Sequence, residues 1–305
     1  MNRRSFLVNT AILSVSLPFI GFAKDTSKTV TILHTNDTHS RIDPFPDDGR
    51  LYGGLGGVAR RAALIAAIRK TTDNVLLLDA GDVFQGTPYF NYFGGELDYK
   101  LMSAMKYDAT TLGNHDFDAG LAGLKKQLPY AKFPHLIANY SFEQTPLAGA
   151  FIPHKIFTKN QIKIGVFGLG IEMNGLVSQN LFQQTTYLEP LQVAQEQVKI
   201  LRKQGTHLII CLSHLGFEYP TQKVSDKKLA DQVSGIDIII GGHTHTFLEK
   251  PFLHTRSDGS VCVINQVGWA GINLGKIDVI FSQNHKTISG FETAVIPVSG
   301  NPFSI

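Results

Sequence analysis

The chain has 305 residues, of which 43% are hydrophobic and 17% are charged, so it can bury a large core and does not have the composition of a disordered protein. Its formal charge is only +3, and its basic doublets are isolated and not interleaved with aromatic residues, which argues against nucleic acid or an anionic membrane as a partner. The chain has two cysteines and no Cys-x-x-Cys motif, so any metal site has to use nitrogen and oxygen ligands.

Residues 1–23 have the features of an export signal. Arg3 and Arg4 precede an uncharged apolar stretch, and small residues lead up to Ala23, where a signal peptidase would cut. The Arg-Arg-Ser-Phe-Leu run resembles a twin-arginine signal, which implies export of an already folded protein. The alternative is an uncleaved membrane anchor, although several polar residues and Pro18 make the stretch a poor span. We expect a periplasmic or secreted protein with no stable membrane insertion after signal cleavage.

Strand patterns alternate with helix patterns through most of the chain. Helices are predicted at residues 60–70, 97–105, 121–128 and 190–204. Strands are predicted at residues 29–33, 74–79, 109–112, 135–138, 162–167, 207–212 and 236–240. After residue 252 only strands follow, near Val261, Ile277 and Val295. This order predicts one α/β domain, residues 24–305, built on a mixed sheet with an antiparallel tail.

The first predicted strand ends in an unusual group of side chains. Residues 29–41 read TVTILHTNDTHSR, an apolar strand followed directly by Asn36, Asp37 and His39. If the chain stays extended, positions 37 and 39 project to the same side and can reach one point in space, as metal ligands do. A polar turn stabilised by local hydrogen bonds is the alternative explanation for this stretch alone.

Four other predicted strands end in the same way. The residues concerned are Asp82, then Asn114, His115, Asp116 and Asp118, then His214, and finally His243 and His245. Taken singly, Asp82 and the 114–116 group can be turn formers, and His214 can be a satisfied core histidine. Ligands gather outside the carboxyl ends of strands in α/β sheets, so five such ends together predict a metal site. We expect surface or supporting roles for the other histidines, which are His34, His135, His154, His207, His254 and His285.

These strand ends resemble the motifs of the calcineurin-like metallophosphoesterase superfamily, and in particular the catalytic domain of the 5′-nucleotidase and UDP-sugar hydrolase family. The matching motifs are NDTH at 36–39, GD at 81–82 followed by FQG, GNHDFD at 113–118, SH at 213–214 and GGHTH at 241–245. They follow the family's order through almost the whole mature chain. The resemblance implies an α/β fold, a four-layer αββα sandwich of two mixed β-sheets (the metallo-dependent phosphatase fold).

The resemblance also implies a site for two divalent metal ions. Asp37, His39 and His245 would bind the first metal, Asn114, His214 and His243 the second, and Asp82 would bridge both. A shared carboxylate offsets the repulsion between two cations. Imidazole, carboxylate and amide ligands suit Zn, Mn, Co or Fe, and they do not choose among the four.

Two neighbouring residues are expected to carry the chemistry. Two metals lower the pKa of a bridging water, and the resulting hydroxide can attack phosphorus in line. His115 can then assist the leaving oxygen, and Asp118, three residues later, can fix its tautomer and raise its basicity. The resemblance likewise casts His115 and Asp118 as the catalytic dyad, and places Asn114 and His115 against the substrate phosphate.

The expected substrate is a small phosphate ester or a nucleotide. Two-domain relatives add a C-terminal domain that binds the nucleoside, whereas this sequence stops at Ile305, so a separate polypeptide could provide that domain or the substrates could be less discriminated esters. A thiosulfate-ester hydrolase of the same superfamily is the alternative enzyme. A non-catalytic metal-binding subunit is the alternative outside enzymes, and the His115–Asp118 pair argues against it.

Cys211 and Cys262 lie inside apolar strand patterns. An exported chain can form a disulfide, but the spacing does not require one, and buried free thiols are more common in such patterns.

Overall fold

A computed structural model describes residues 27–282 and 287–300. The strands in this part of the chain are β1 (Lys28–Thr35), β2 (Val75–Asp79), β3 (Ala109–Thr110), β4 (Tyr140–Ser141), β5 (His154–Lys159), β6 (Ile162–Leu169), β7 (Thr186–Tyr187), β8 (Leu208–Ser213), β9 (Ile238–Gly241), β10 (Phe252–Thr255), β11 (Val261–Asn265), β12 (Asn273–Phe281) and β13 (Ile288–Pro297). The helices are α1 (Val58–Thr71), α2 (Pro88–Phe93), α3 (Glu96–Ala104), α4 (Gly120–Gln127), α5 (Gln179–Phe182), α6 (Pro190–Lys203) and α7 (Asp226–Gln232).

The strands form two large mixed sheets and one small pair. The first sheet has the order β13-β12-β1-β2-β3, with β1, β2 and β3 parallel and β12 and β13 antiparallel to their neighbours. The second has the order β10-β11-β9-β8-β6-β5, with a parallel centre and antiparallel strands at both edges. Strands β4 and β7 form the small antiparallel pair. Each large sheet therefore contributes a set of parallel strands with aligned carboxyl ends.

Three separate clusters of buried side chains define the layers. The middle cluster joins residues of both sheets and contains no helical residue, with Val30 and Ile32 of β1 facing Ile210 of β8 and Ile238 of β9 across the interface between the sheets. Along β1, Leu33 points the other way, because successive strand residues alternate between faces. The outer clusters pack α1, α3 and α4 on the first sheet and α6 and α7 on the second. The layers are helices, sheet, sheet and helices, which confirms the expected αββα architecture.

Helix α6 shows how local sequence sets one of these outer layers. Pro190 occupies its first turn, where a backbone N–H is not needed, and the Glu189 side chain accepts a hydrogen bond from the Gln192 N–H at 2.7 Å. Ala194, Val198 and Leu201 recur on one face and are buried against the second sheet. The helix thereby covers the back of the strands that lead to His214 and His243.

The order of elements alone predicted a single mixed sheet, and that prediction is wrong. A strand pattern is the same whichever sheet the strand joins, so sequence order does not reveal where the chain passes from the first sheet to the second. Residues 135–138 make only isolated bridges, from His135 to Thr110 and from Leu136 to Ile152, and do not form a strand. Strand β5 and the helices α2, α5 and α7 were not predicted, because these segments are short or lack a clear apolar period.

The expected leader, residues 1–23, lies outside the described residues. Within the part of the chain that is described, no helix combines the length and the apolar character needed to cross a bilayer. Cys211 and Cys262 are buried free thiols in the outer core of the second sheet, and burial raises the pKa of both.

Candidate metal centre

The turns that follow five parallel strands, three in the first sheet and two in the second, meet at one edge of the molecule. They follow β1, β2, β3, β8 and β9. The first two turns are joined through their backbones, since the Asp37 N–H donates to the Gly81 carbonyl at 2.9 Å and the His39 N–H donates to the Asp82 carbonyl at 3.1 Å. The turns of the second sheet join them through the Asp37 carboxylate, which accepts from the His243 N–H at 3.0 Å.

Five of the predicted ligands have left-handed backbone conformations. The φ angles are 50° for Asp37, 50° for His39, 53° for Asp82, 74° for His243 and 52° for His245. Such angles are uncommon outside glycine and cost conformational energy, and they concentrate at functional sites. The backbone of each turn, and not only the side-chain rotamer, therefore determines where these ligands point.

Asp37, His39 and His245 form the first group of donor atoms. The Nε2 atoms of His39 and His245 lie 3.0 Å apart, and Nε2 of His245 lies 3.4 Å from Oδ1 of Asp37. His39 uses its other nitrogen, Nδ1, to donate to the Phe84 carbonyl at 3.2 Å. Because a carbonyl can only accept, the Nε2 of neutral His39 carries a lone pair directed into the group. A cation is the natural partner for donors arranged in this way.

Asp82, His214 and His243 form the second group, and Asn114 joins it. Nε2 of His214 lies 3.0 Å from Oδ2 of Asp82, while its Nδ1 donates to the Ala80 carbonyl at 2.7 Å. His214 is fully buried, and its Nε2 makes no hydrogen bond. Oδ1 of Asn114 lies 2.8 Å from Nδ1 of His243. Because Nδ1 donates to the Ala80 carbonyl, Nε2 faces the carboxylate, and the space between them fits a proton in the metal-free protein and a cation when metal is bound.

Asp82 and Asp37 are the two carboxylates that lie between these groups. Oδ2 of Asp82 is 3.0 Å from Nε2 of His214 and 4.0 Å from Nε2 of His39, so Asp82 reaches both groups. Burial opposes a charge on His214, but Asp82 and Asp37 outweigh it and raise the pKa of His214 to about 10. Burial likewise opposes a charge on Asp82, but His214 and His39 hold the pKa of Asp82 well below its usual range. The centre therefore favours positive charge, and its donor set fits two divalent cations that share Asp82.

His115 and Asp118 lie beside these donors and are more exposed than Asp82 and His214. Nδ1 of His115 is 2.8 Å from Oδ2 of Asp118, and the side chains are 38% and 27% exposed. The bond to Asp118 raises the pKa of His115. The His115 ring packs edge-on at 5.3 Å from the ring of His39, and its backbone N–H donates to Asp82 at 2.7 Å. Because Asp118 occupies Nδ1, Nε2 is the ring nitrogen that can meet a substrate.

Asp116 has a supporting role that the sequence did not indicate. Its carboxylate accepts hydrogen bonds from four backbone N–H groups. The donors are Asp82 at 3.1 Å, Val83 at 3.0 Å, Phe84 at 3.2 Å and Gly113 at 2.8 Å. Asp116 thus joins the turns that carry Asp82 and Asn114. The only sequence signal was an acidic residue in a polar turn, which is too common to be informative.

Asn36 has a similar role for the first group. Its amide donates to Oδ2 of Asp37 at 2.6 Å and to the Gly268 carbonyl at 2.6 Å, and its carbonyl accepts from the Val267 N–H at 3.0 Å. Asn36 therefore orients Asp37 and ties it to a loop that follows β11. The sequence alone indicates for Asn36 a place in a polar turn, not a role in orienting Asp37.

The remaining histidines lie outside both donor groups wherever the structure describes them. His34 contacts Asn265 at 2.9 Å and His135 contacts Tyr99 at 2.8 Å, and burial lowers the pKa of both histidines to about 3. His154 contacts Gln197, His207 accepts from the Lys163 N–H, and His254 contacts Asp231. His285 lies outside the described residues.

The chain is similar to several 5′-nucleotidases. It is 37% identical over 294 residues to a snake venom 5′-nucleotidase of Naja atra, a match that covers 90% of this chain and 53% of the relative. It is 33% identical over 294 residues to a 5′-nucleotidase of Homo sapiens, a match that covers 90% of this chain and 50% of the relative. The chain thus spans about half the length of these curated relatives.

A solved structure extends the likeness to the fold. The crystal structure of a 5′-nucleotidase precursor from Thermus thermophilus has a TM-score of 0.82 and 31% identity, over 90% of this chain and 56% of that chain. Residues 30–247 match the family described as calcineurin-like phosphoesterase, and this range contains all nine predicted site residues. The chain therefore belongs to the calcineurin-like phosphoesterase family.

Proposed function

We propose that residues 24–305 are the catalytic domain of a metal-dependent phosphoesterase that hydrolyses phosphate esters, nucleotides in particular. The names of the similar 5′-nucleotidases indicate nucleotide substrates for those relatives. One observation carries the proposal: two groups of donor atoms lie side by side, with Asp82 of the second group 4.0 Å from His39 of the first, and an accessible His115–Asp118 pair lies beside them. Metal retention alone does not require that pair. Its presence favours catalysis over a purely metal-binding role.

Two divalent ions, Zn, Mn, Co or Fe, are the proposed cofactors. Asp37, His39 and His245 would hold the first, Asn114, His214 and His243 the second, and Asp82 both. When bound, such a pair supplies an activated water nucleophile and charge that stabilises the phosphoryl oxygens. The protein's own contribution is rigid placement, since backbone carbonyls at Ala80 and Phe84 fix the ring orientations of His214 and His39.

The proposed role of His115 is to stabilise and protonate the leaving oxygen. Asp118 fixes its tautomer and raises its pKa, which increases the fraction that carries a proton at neutral pH. Asn114, which is 5% exposed, and His115, whose side chain is 38% exposed, are adjacent in the chain, and in this proposal both contact a phosphoryl oxygen. A positioned acid of this kind contributes about 10²–10⁴-fold to a rate.

Substrate recognition depends on how much of the relatives' length this chain shares. The curated relatives are about twice as long as the region they share with this chain. We therefore propose that the described residues provide the phosphate-hydrolysing part, and that a nucleoside-binding domain, where one is present, increases the affinity for nucleotides.

We also propose export, from the leader features of residues 1–23 and from relatives that occur in venom. Changing Arg3 and Arg4 to lysine should leave the protein in the cytoplasm, as judged by cell fractionation and immunoblotting. Export of this double variant at the normal level would contradict a twin-arginine route.

The function is tested with purified protein, before and after chelation, and after Mn, Co, Zn or Fe is added back. We expect hydrolysis of an aryl phosphate and of AMP that chelation abolishes and at least one metal restores. Two bound metals per chain without hydrolysis of either ester would instead support a metal-binding subunit. Turnover of an S-sulfonate ester but not of phosphate esters would support the thiosulfate-ester hydrolase.

A further inference from the structure

Four aromatic rings form a continuous wall beside the candidate metal centre. The indole of Trp269 lies parallel to the imidazole of His245, with an interplanar angle of 7° and 5.7 Å between ring centroids. Phe45 lies 5.8 Å from Trp269, Tyr52 lies 5.9 Å from Phe45, and Phe247 stacks on Tyr52 at 5.5 Å. Phe45, Tyr52, Phe247 and Trp269 are called the aromatic wall below.

The aromatic wall is not part of the hydrophobic core. None of its four rings belongs to the three clusters of buried side chains that hold the layers together in the described residues. All four residues are partly exposed, and Phe247 is 39% exposed. The Arg41 guanidinium covers one face of Phe45 at 3.9 Å from the ring centroid, and Tyr52 and Phe247 cover one face of each other. A flat ligand can use the ring faces that remain open, at low entropic cost because these side chains are already held in place.

The loop that carries Trp269 is fixed to the metal centre itself. The Gly268 carbonyl accepts from the Asn36 amide at 2.6 Å, and the Ala270 N–H donates to the Asp37 carbonyl at 2.7 Å. Ala270 has a φ of 57°, a strained value for a residue other than glycine. Hydrogen bonds on both sides of Trp269 therefore set its position relative to Asp37, a proposed metal ligand.

We propose that the aromatic wall is a stacking platform for a planar ring carried by the leaving group of the substrate, an aryl ring or the nucleobase of a nucleoside. This inference rests on the proposed function, because it places the phosphate at donors that include His245. A phosphate bound there brings the ring of its ester group towards Trp269, which stacks on the same imidazole. The platform makes ring-bearing phosphate monoesters better substrates than alkyl phosphates of similar charge.

The expected advantage follows from the strength of stacking. A base stacked on an aromatic side chain is worth about 5- to 100-fold in affinity. Part of this can appear in turnover as well as in binding, because a remote group that binds also orients the phosphate. We therefore expect kcat/KM for benzyl phosphate, whose leaving group is an alkoxide like that of glycerol 3-phosphate, to exceed that for glycerol 3-phosphate by about 5- to 100-fold in the unaltered chain.

Binding can be measured without any turnover, because Trp269 is the chain's single tryptophan. The metal-loaded protein is titrated with adenosine in the presence of inorganic phosphate, and ribose replaces adenosine in the control. We expect saturable quenching of the tryptophan fluorescence by adenosine only, and a dissociation constant raised at least about fivefold in Phe45→Leu. Absent quenching, or equal effects of ribose and adenosine, would overturn the platform.

Kinetics provide the second readout. Trp269→Leu should lower the benzyl phosphate to glycerol 3-phosphate ratio of kcat/KM to near one. Tyr92→Leu, which changes an 84% exposed aromatic residue on α2 outside the wall, should keep the ratio. Equal losses for both esters in Trp269→Leu would mean that the ring only supports His245 and would overturn the platform.

The unaltered chain separates failure of the platform from failure of the proposed function. If it hydrolyses both esters equally, the stacking platform is contradicted and the proposed function stands. If it hydrolyses neither with any metal, the proposed function fails, while the fluorescence titration still tests the platform.

Discussion

The donors at the bottom of the centre and those at its opening differ sharply in exposure. Asp82 and His214 are 1% and 0% exposed, whereas the side chains of His245 and His115 are 39% and 38% exposed. The buried donors are held by backbone groups and by each other, since His214 bonds to the Ala80 carbonyl and contacts Asp82. His245 and His115 are the side chains at the opening, where solvent reaches them.

This difference separates two tasks within one centre. A buried carboxylate is costly unless it is compensated, so Asp82 requires positive charge in its surroundings. An exposed imidazole can gain and lose a proton and can change partners at little cost. We therefore expect substitutions of the buried ligands to remove metal, and substitution of the exposed His115, which is not a proposed ligand, to remove activity while metal remains.

The largest effect is expected for Asp82→Asn. Removing the shared charge leaves two cations with one anionic ligand fewer, so most of the metal and nearly all activity should be lost. Metal analysis and turnover of an aryl phosphate measure both. Asp231→Asn, a change at an exposed aspartate with 67% of its side chain accessible, is the control. Two bound ions per chain with near-normal turnover in Asp82→Asn would contradict a shared carboxylate.

His115→Ala tests the open part of the centre. Turnover should fall by about 10²–10⁴-fold while both metals remain, because a positioned proton donor is lost and no proposed ligand is removed. Turnover is measured at saturating metal, with metal content determined on the same sample. Loss of metal comparable to that in Asp82→Asn would place His115 among the ligands.

Asp118→Asn should act in the same direction and less strongly. The amide can still contact His115 but does not supply the charge that raises the histidine's pKa, so turnover should fall by about 10- to 100-fold. The double variant with His115→Ala should be no slower than His115→Ala alone, because the two residues act as one unit. Independent, multiplying losses would show that Asp118 has another role.

Asp116→Asn tests whether the buried turns depend on a residue that binds no metal itself. An amide cannot accept from four N–H groups as the carboxylate does, so we expect about 1–3 kcal/mol less stability in the metal-free protein. Metal affinity should fall by about 10- to 100-fold. Urea unfolding and metal titration measure these quantities. Unchanged unfolding and metal binding would show that the turns hold without this carboxylate.

The smallest effect concerns the identity of the base. Stacking depends little on which base is present, because every base has a flat face. The isolated chain should therefore use AMP and UMP with kcat/KM values within about tenfold of each other, and within about a hundredfold of an aryl phosphate. A preference above a hundredfold for one nucleotide would show that this chain contains a specific base pocket.

The sequence predicted the location of the candidate centre well, because its signal is local. Polar side chains such as Asp37, His39 and His214 directly follow apolar strands, and the topology of parallel strands brings such ends together. The five resulting turns do converge in the structure. Whether each side chain binds metal is still a prediction.

Features that depend on distant contacts were not predictable in this way. The division of the strands between two sheets cannot be read from the sequence, since a strand that faces the middle cluster has the same apolar alternation in either sheet. Asp116 gains its role only when the turns around it fold together. Trp269 lies in a glycine-rich turn between Gly268 and Ala270. These two neighbours form hydrogen bonds with Asn36 and Asp37, which are more than two hundred residues away in the chain.

The division of the donors between two sheets has a consequence for folding kinetics. His39 and His245 are 206 positions apart in the chain, and they approach each other only after the layer between the sheets has closed. Contacts of such long range form slowly, and a site that needs them cannot bind metal with full affinity in a partly folded chain. Tight metal uptake should therefore be one of the last events in folding, and the rate at which metal is retained should report how fast the two sheets dock.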